Sequence, residues 1–234
     1  MCPMSENKTG NSLMDYFLPS FCFNCKSPVR KGKIICDDCY DEIRFADEKA
    51  CVKCGLDDKE CQCKFSVYHF NFITAPFIND GVAKKGIYSI KFKNNTALAD
   101  FYVEHMVKRF AQKTEEREFS FVTYVPMSFP KFLKRGCNQA QILAEKVAQI
   151  LSLPLKATLK RAFFSSTQHK TGSVEERFRN AYDSYHCVQS VKGRVLLIDD
   201  IKTTGASLEA CARELLKAGA DEVYCLTALV GNKN

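Results

Sequence analysis

Two adjacent carboxylates followed by a loop of small residues are the part of this sequence best suited to chemistry. Four apolar residues at 195–198 predict a buried strand of a parallel sheet. Asp199 and Asp200 come directly after them, and the chain then reads Ile-Lys-Thr-Thr-Gly-Ala-Ser. Apolar residues between 208 and 216 recur at helical spacing. The stretch therefore predicts a strand, an acidic pair, a small-residue loop and a helix, in that order.

This order of elements favours a phosphorylated sugar as the ligand. The free N–H groups and the positive dipole end at the start of a helix suit a phosphate group. Asp199 and Asp200 would repel that phosphate, but they can accept hydrogen bonds from ribose hydroxyls or hold a hydrated Mg²⁺. The ligand expected from these preferences is a ribose 5-phosphate. The residues predicted to surround its phosphate are Thr203, Thr204, Gly205, Ala206 and Ser207.

Residues 195–207 resemble the thirteen-residue signature of the phosphoribosyltransferase fold, which binds 5-phosphoribosyl-1-pyrophosphate (PRPP). The resemblance includes the apolar strand, both acids, Thr-Thr-Gly and the closing Ser207. A plain strand-to-helix turn with acidic residues at the strand end is the alternative. A Walker phosphate loop is excluded because the Gly-x4-Gly-Lys-Ser/Thr spacing is absent, and no Gly-x-Gly-x-x-Gly follows a strand.

Eight of the thirteen cysteines arrive in pairs near the N-terminus, and this spacing predicts metal binding. Each Cys-x-x-Cys knuckle can present two thiolates to one ion, and two knuckles complete a four-sulfur site that suits structural Zn²⁺. Four pairs are enough for two such sites. The predicted ligands are Cys22, Cys25, Cys36, Cys39, Cys51, Cys54, Cys61 and Cys63.

The cysteine spacing leaves two questions open. The pairs can combine in chain order, or they can interleave, with Cys22 and Cys25 sharing an ion with Cys51 and Cys54. The final pair, Cys61-x-Cys63, is tighter than an ordinary knuckle and can leave its site distorted or empty. A redox role for the Cys-x-x-Cys pairs is the main alternative to metal binding.

Composition and charge divide the 234 residues into a small module and a larger domain. We predict an N-terminal tail at 1–20, a zinc-ribbon module at 21–64 and a phosphoribosyltransferase-like domain at 65–234. Residues 65–234 carry 24 basic and 16 acidic side chains, which suits a polyanionic ligand such as pyrophosphate or nucleic acid, or simply a basic surface. Residues 1–20 hold no apolar run long enough for a signal sequence or membrane span, so we expect a cytoplasmic protein.

A second strand, loop and helix predicts another anion site. Residues 121–125 form an apolar strand, and the loop from Met127 to Asn138 carries Lys131, Lys134 and Arg135. This loop is a candidate for the pyrophosphate end of PRPP, and a solvated basic loop is the alternative. Polar residues at 161–182 suggest a mobile flap over the site. Strands and helices alternate from about residue 65, which predicts an α/β fold with a parallel sheet flanked by helices.

Several short motifs occur in a fixed order along the chain: the cysteine knuckles at 22–63, Lys91-Phe92-Lys93, Arg135-Gly136-Cys137-Asn138-Gln139-Ala140, Thr167-Gln168, Glu176-Arg177, Asn180 and the signature at 195–207. Taken together, they resemble the ComF family. Cys137 stands where the family usually has Phe. The resemblance implies a phosphoribosyltransferase-type domain with an N-terminal double zinc ribbon, which binds PRPP with Mg²⁺ through Arg135, Asn138, Gln139 and the signature residues. It also implies a link to natural competence, DNA-uptake proteins and single-stranded DNA.

Two hypotheses for the function follow. In the first, the protein is a phosphoribosyltransferase, in which Asp199 and Asp200 hold the ribose hydroxyls and stabilise positive charge on the ring while pyrophosphate leaves. In the second, the same fold binds PRPP or a nucleotide without turnover, as an accessory protein that binds single-stranded DNA. A fold does not by itself establish chemistry, so the sequence leaves both hypotheses open.

Overall fold

The larger part of the chain is built on a parallel β-sheet, as the sequence predicts. The computed structural model describes residues 20–57, 59–61, 63, 68–90, 96–114, 118–162, 181–182 and 184–231. The predicted flap, apart from its ends, and the motif residues Lys91, Phe92 and Lys93 lie outside them. Within the described residues the sheet order is β3 (Phe72–Thr74), β9 (Ala220–Val230), β8 (Gly193–Lys202) and β5 (Phe121–Tyr124), all parallel. A short strand, β4 (Phe77–Ile78), also pairs with β9.

Helices cover this sheet on both faces. The described helices of the domain are α2 (Gly81–Ser89), α3 (Thr96–Thr114), α4 (Phe129–Arg135), α5 (Gln139–Ile150) and α6 (Ala206–Lys217). One core contains side chains of α2, α3 and α5 against the sheet, and the other contains α6. The sheet is therefore buried on both sides, which explains why its two central strands read as nearly continuous apolar runs.

The segment predicted as a loop between Met127 and Asn138 differs from that prediction, because it contains the short helix α4. Ser128 has the extended backbone of a helix N-cap, and Pro130 in the first turn has no N–H group to leave unpaired. Gly136 ends the helix with a φ of 73°, the left-handed conformation that favours glycine at this position. The basic residues consequently lie on a helical turn.

A two-stranded antiparallel ribbon, β6 (Leu159–Arg161) with β7 (Tyr185–Cys187), lies beside the main sheet. Its strands flank residues 163–180, most of the predicted flap. β7 packs against α6, since Tyr185 belongs to the same buried cluster as Leu208 and Cys211. This packing brings β7 close to the loop that follows the acidic pair.

The cysteine-rich module contains β1 (Ser20–Phe21) and β2 (Pro28–Val29), which form a short antiparallel hairpin, and α1 (Asp37–Asp41). The buried apolar residues that the structure describes in this module belong to clusters shared with the sheet domain. Cys22 and Cys39 belong to the same buried cluster as Phe77 of β4, and Cys54 packs with Val230 of β9. The module and the sheet domain are therefore continuous in their packing.

Candidate functional site

The acidic pair lies near the carboxyl end of β8, where ligands bind in open parallel sheets. The carboxylate Oδ1 of Asp199 accepts a hydrogen bond from the Asp200 amide at 2.9 Å, and Asp200 Oδ1 accepts one from the Ile201 amide at 2.8 Å. Desolvation and the adjacent Asp200 carboxylate raise the pKa of Asp199 well above its ordinary value. A nearby cation stabilises the ionised form of a carboxyl group whose pKa is raised in this way, so the pair fits a divalent ion such as Mg²⁺.

The loop after β8 turns sharply into α6. Gly205 has a φ of 83°, in the left-handed region, and Ala206 begins the helix. The N-cap residue Gly205 has no side chain, and among the described residues only the Ala206 amide of the first turn has a side-chain acceptor, so the N–H groups that follow are available to an anion. Thr204 Oγ1 accepts a long hydrogen bond, 3.4 Å, from the Ala206 amide, and the neighbouring Thr203 is partly exposed.

Ser207 is oriented by a residue that is remote in sequence. Its Oγ accepts a hydrogen bond from the buried hydroxyl of Tyr185 at 3.1 Å. Because the Ser207 oxygen is the acceptor, its own proton remains available for another acceptor such as a phosphate oxygen. Burial raises the pKa of Tyr185, which keeps the phenol protonated as the donor. The sequence carried no signal for Tyr185, since it stands on a three-residue strand beyond the predicted flap.

Three cations lie near the acidic pair. Lys131 and Arg135 belong to α4, and Arg161 ends β6. Desolvation of the Lys131 ammonium lowers its pKa, and the positive charges of Arg161 and Arg135 lower it further. The carboxylates of Asp200 and Asp199 act in the opposite direction and raise this pKa. Lys131 as a whole is exposed. Lys131 is therefore within electrostatic reach of the other four charged groups. A site that combines carboxylates with cations suits a ligand that carries both hydroxyls and phosphates.

The two predicted site residues after Arg135 are buried beneath it. Asn138 Nδ2 donates to the Val125 carbonyl at 3.0 Å, which ties the start of α5 to the end of β5. Gln139 Oε1 accepts a hydrogen bond from Arg135 Nη1 at 3.4 Å. Its Nε2 atom is buried and has no hydrogen-bond partner within the described residues. The structure thus gives Asn138 a supporting contact, and it leaves a buried donor on Gln139.

The eight predicted zinc ligands form two separate sets in chain order. The Sγ atoms of Cys22, Cys25, Cys36 and Cys39 lie within 4.8 Å of one another, and so do those of Cys51, Cys54, Cys61 and Cys63. The interleaved arrangement is therefore excluded. The tight spacing of Cys61 and Cys63 does not distort the second set, because both sulfurs reach the other pair.

The sulfur distances fit a tetrahedral zinc site. Adjacent sulfurs are 3.6 Å apart between Cys25 and Cys36 and 3.3 Å apart between Cys51 and Cys63. Four sulfurs at the usual Zn–S distance lie about 3.8 Å apart, so small shifts would admit the ion. Hydrogen bonding to Ser27 lowers the pKa of Cys25 to about 6, which favours the thiolate that a metal requires. Both sets are closed by four sulfurs, so the zinc they hold is structural.

Comparison with known proteins matches two parts of the chain to known families. Residues 13–65 match the double zinc ribbon domain, and residues 137–234 match the phosphoribosyl transferase domain. The competence protein ComFC of Streptococcus pneumoniae is 28% identical over 205 residues, which cover 80% of this chain and 82% of that protein. The chain belongs to the ComF family. Two further relatives extend the comparison.

Two further relatives of this ComF-family protein are a DNA utilization protein and a competence protein. The DNA utilization protein YhgH of Escherichia coli K12 is 25% identical over 228 residues, which cover 89% of this chain and 97% of that protein. Competence protein F of Haemophilus influenzae is 28% identical over 125 residues, 51% of this chain and 54% of that protein. No helix in the described part of this chain is long and apolar enough to cross a membrane.

Proposed function

We propose that this ComF-family protein binds PRPP together with Mg²⁺ at the carboxyl end of β8. The observation that carries the proposal is that Asp199 and Asp200 precede the open N-terminus of α6 and act electrostatically on Lys131 of α4, as Arg161 of β6 does. PRPP has the matching order of groups: a 5-phosphate, two ribose hydroxyls and a pyrophosphate. A nucleoside triphosphate has a different order of groups, because its phosphates all lie at the 5-position of the ribose.

Each end of the proposed ligand has its own residues. Thr203, Thr204, Gly205, Ala206 and Ser207 would bind the 5-phosphate through backbone N–H groups and hydroxyls. Arg135 and Lys131 would bind the pyrophosphate, with Asn138 holding the backbone beneath them and Gln139 orienting Arg135. A bound Mg²⁺ would supply charge neutralisation for the pyrophosphate as a leaving group.

The reaction class that suits this arrangement is phosphoribosyl transfer. An acceptor nucleophile would form a bond to C1 of the ribose while the C1–oxygen bond to pyrophosphate breaks, and the electron pair would leave with pyrophosphate. Asp199 and Asp200 would accept hydrogen bonds from the 2- and 3-hydroxyls and stabilise the positive charge that develops on the ring. Arg161 and Lys131 would stabilise the departing negative charge.

We also propose that the protein acts in the cytoplasm in DNA uptake and handles single-stranded DNA with partner proteins. The names of the relatives from S. pneumoniae and E. coli support this role, and two four-cysteine sites suit a reducing compartment. On α4, Phe129 is 48% exposed and Leu133 is 69% exposed, and both are near basic residues. Exposed aromatic and basic side chains are what a single-stranded nucleic acid binds, which favours the non-catalytic role as the second candidate.

Calorimetric titration of PRPP with Mg²⁺ into the zinc-loaded protein tests the proposed ligand. We expect micromolar binding, which is lost in an Asp199→Asn/Asp200→Asn double variant and retained in an Asp221→Asn control at the exposed start of β9. Absence of binding to the wild-type protein would refute the PRPP site. Pyrophosphate release in the presence of bases, nucleosides or DNA ends then separates catalysis from binding alone.

A parallel titration with single-stranded DNA tests the second candidate. If α4 carries the DNA, Phe129→Ala weakens binding and the affinity falls steeply with added salt, while the Asp199→Asn/Asp200→Asn variant binds DNA as the wild type does. DNA binding that is lost in the double variant instead would place the nucleic acid in the PRPP site.

A further inference from the structure

A buried lysine lies between the loop after the acidic pair and the second cysteine set. Lys202 is the last residue of β8, and only 5% of it is exposed. Its backbone pairs with Val230 of β9, and its carbonyl accepts a hydrogen bond from the Gly231 amide at 3.1 Å. Lysines are rarely buried unless their charge is compensated, so we expect a negatively charged group near the Lys202 ammonium.

The aliphatic part of Lys202 contacts the turn that begins α6. A Cβ atom placed on Gly205 would lie 3.6 Å from Lys202 Cε, which is an ordinary van der Waals contact. Gly205 is the N-cap of α6 and has a left-handed backbone. The end of the lysine stem therefore lies beside Gly205, the residue that sets the direction of the helix N-terminus.

The charged end of Lys202 lies close to the second cysteine set. Burial lowers the pKa of Lys202, and the groups that raise it are the thiols of Cys54, Cys63, Cys51 and Cys61, in that order. The same ammonium is thus within electrostatic reach of all four sulfurs.

Packing fixes the second cysteine set against the end of the sheet. Cys54, Leu56 and Val230 share one buried cluster. At Gly55, where φ is 74°, an added Cβ would be 3.0 Å from Val230 Cγ2, so the knuckle approaches β9 closely. Because Val230 pairs with Lys202, this contact holds the knuckle and the lysine in one arrangement.

A zinc ion held by four thiolates carries a net charge of about −2, and burying that charge requires a counter-ion. In the first set Cys25 is exposed, so water can solvate the charge. In the second set none of the four cysteines is exposed, although only Cys54 is fully buried. Lys53 within the knuckle directs its ammonium to the Phe70 and Asn71 carbonyls, each at 3.4 Å. Among the residues that the structure describes, Lys202 is the buried cation within electrostatic reach of these sulfurs.

We propose that Lys202 is the counter-charge of the second zinc site and that its stem couples this site to the turn at Gly205. The second half rests on the proposed function, because it makes occupation of the zinc site a condition for firm binding of PRPP. The counter-charge role concerns zinc binding alone and does not depend on PRPP. In both roles Lys202 is a positioning residue that does not contact the substrate.

Native mass spectrometry tests the counter-charge by counting zinc ions per chain as EDTA is raised. Neutral Lys202→Met should release one of its two zinc ions at an EDTA concentration at least about tenfold lower than the wild type, since loss of a partner beyond the ligands commonly costs tenfold or more in metal affinity. The other ion should be retained as in the wild type. Lys202→Arg should restore retention, and Lys53→Met, a charge removal within the same knuckle, should behave as the wild type.

The result that would overturn the counter-charge is retention of both zinc ions by Lys202→Met at wild-type EDTA concentrations. If circular dichroism shows that Lys202→Met does not fold, Lys202→Gln takes its place with the same expected direction, because glutamine is polar but uncharged. Early loss of zinc from Lys53→Met as well would also overturn the proposal, since any cation near the knuckle would then suffice.

The coupling to the turn is tested by titrating PRPP with Mg²⁺ into wild type carrying two zinc ions and into Lys202→Met carrying one. Weaker binding to the variant, restored in Lys202→Arg, supports the coupling, and equal binding refutes it. If the wild type does not bind PRPP, the proposed function fails while the zinc counts still decide the role of Lys202. The two failures are therefore distinguishable.

Discussion

At Asp199, the demands of a ligand site and of stability oppose each other. The carboxylate is partly desolvated beside Asp200, and both effects raise its pKa well above the ordinary value of 3.8. The folded protein therefore binds a proton more tightly at this position than the unfolded chain does. Stability from this group is present at acid pH, and it declines as the pH rises from about that ordinary value through the raised one.

Replacing Asp199 by asparagine should therefore stabilise the empty protein while it removes ligand binding. We expect Asp199→Asn to raise the free energy of unfolding at pH 7 by on the order of 1 kcal/mol, and to leave it nearly unchanged at pH 4. Urea denaturation at the two pH values measures the effect, with Asp221→Asn as the control. A variant less stable than the wild type at pH 7 would contradict this reading.

The hydroxyl of Tyr185 orients Ser207 by donating a hydrogen bond to its Oγ. We expect Tyr185→Phe to weaken binding of PRPP roughly fivefold, the equivalent of one hydrogen bond, because the Ser207 hydroxyl loses its fixed orientation. Tyr224→Phe is the matched control, since that buried hydroxyl donates to Glu222 on the same strand, β9, at 3.2 Å. Calorimetric titration compares the three proteins, and equal affinities would show that Ser207 needs no orientation.

At the scale of elements, the hydrogen bond from Asn138 to the Val125 carbonyl joins the ends of α5 and β5. These are the elements on either side of α4, so the contact sets where the cations of α4 lie relative to the acidic pair. A buried carbonyl that loses its donor carries a desolvation cost. Loss of this hydrogen bond should therefore lower the stability of the fold, and it should also shift α4 and its cations relative to the acidic pair.

We expect Asn138→Ala to lower the free energy of unfolding by about 1–3 kcal/mol and to weaken PRPP binding as well. Chemical denaturation and calorimetry measure the two effects. Gln141→Ala is the control on the same helix, because that side chain lies at the surface and donates to Glu145 within α5, at 2.9 Å. An Asn138→Ala protein as stable as the control would show that the contact is not needed.

At the scale of the whole molecule, the zinc module and the sheet share their buried clusters. Cys22 and Cys39 pack with the side chains of α2 and α3, and Cys54 packs with Val230. A module of this size has little core of its own, so zinc supplies much of its folding free energy. Loss of zinc therefore exposes apolar surface on the sheet domain too.

Chelation should for this reason lower the thermal stability of the entire chain. We expect EDTA to shift the main unfolding transition of the sheet domain down by several degrees, beyond the loss of structure in the module itself. Differential scanning calorimetry follows the transition, and EDTA already saturated with zinc is the control. A sheet transition that does not move would show that the two parts fold independently.

How much the sequence could predict depended on whether the signal was local. The acidic pair, the small-residue loop and the cysteine knuckles each lie within a few residues, so residue type and spacing were enough to predict zinc ligands and a parallel α/β fold. The helix α4 within the predicted basic loop was missed because none of its residues is buried, and two of its apolar residues, Phe129 and Leu133, are exposed, so there is no core-facing pattern.

The sequence by itself determined the kinds of groups present: two carboxylates at a strand end, a turn for an anion, and eight thiols in pairs. Only the tertiary structure decided which of them meet. It joined the cysteine pairs in chain order, brought Tyr185 to Ser207, and placed Lys202 between Gly205 and the second cysteine set. The reason is physical: these contacts are made by parallel strand pairing and packing between residues far apart in the chain, and no short-range periodicity records that pairing.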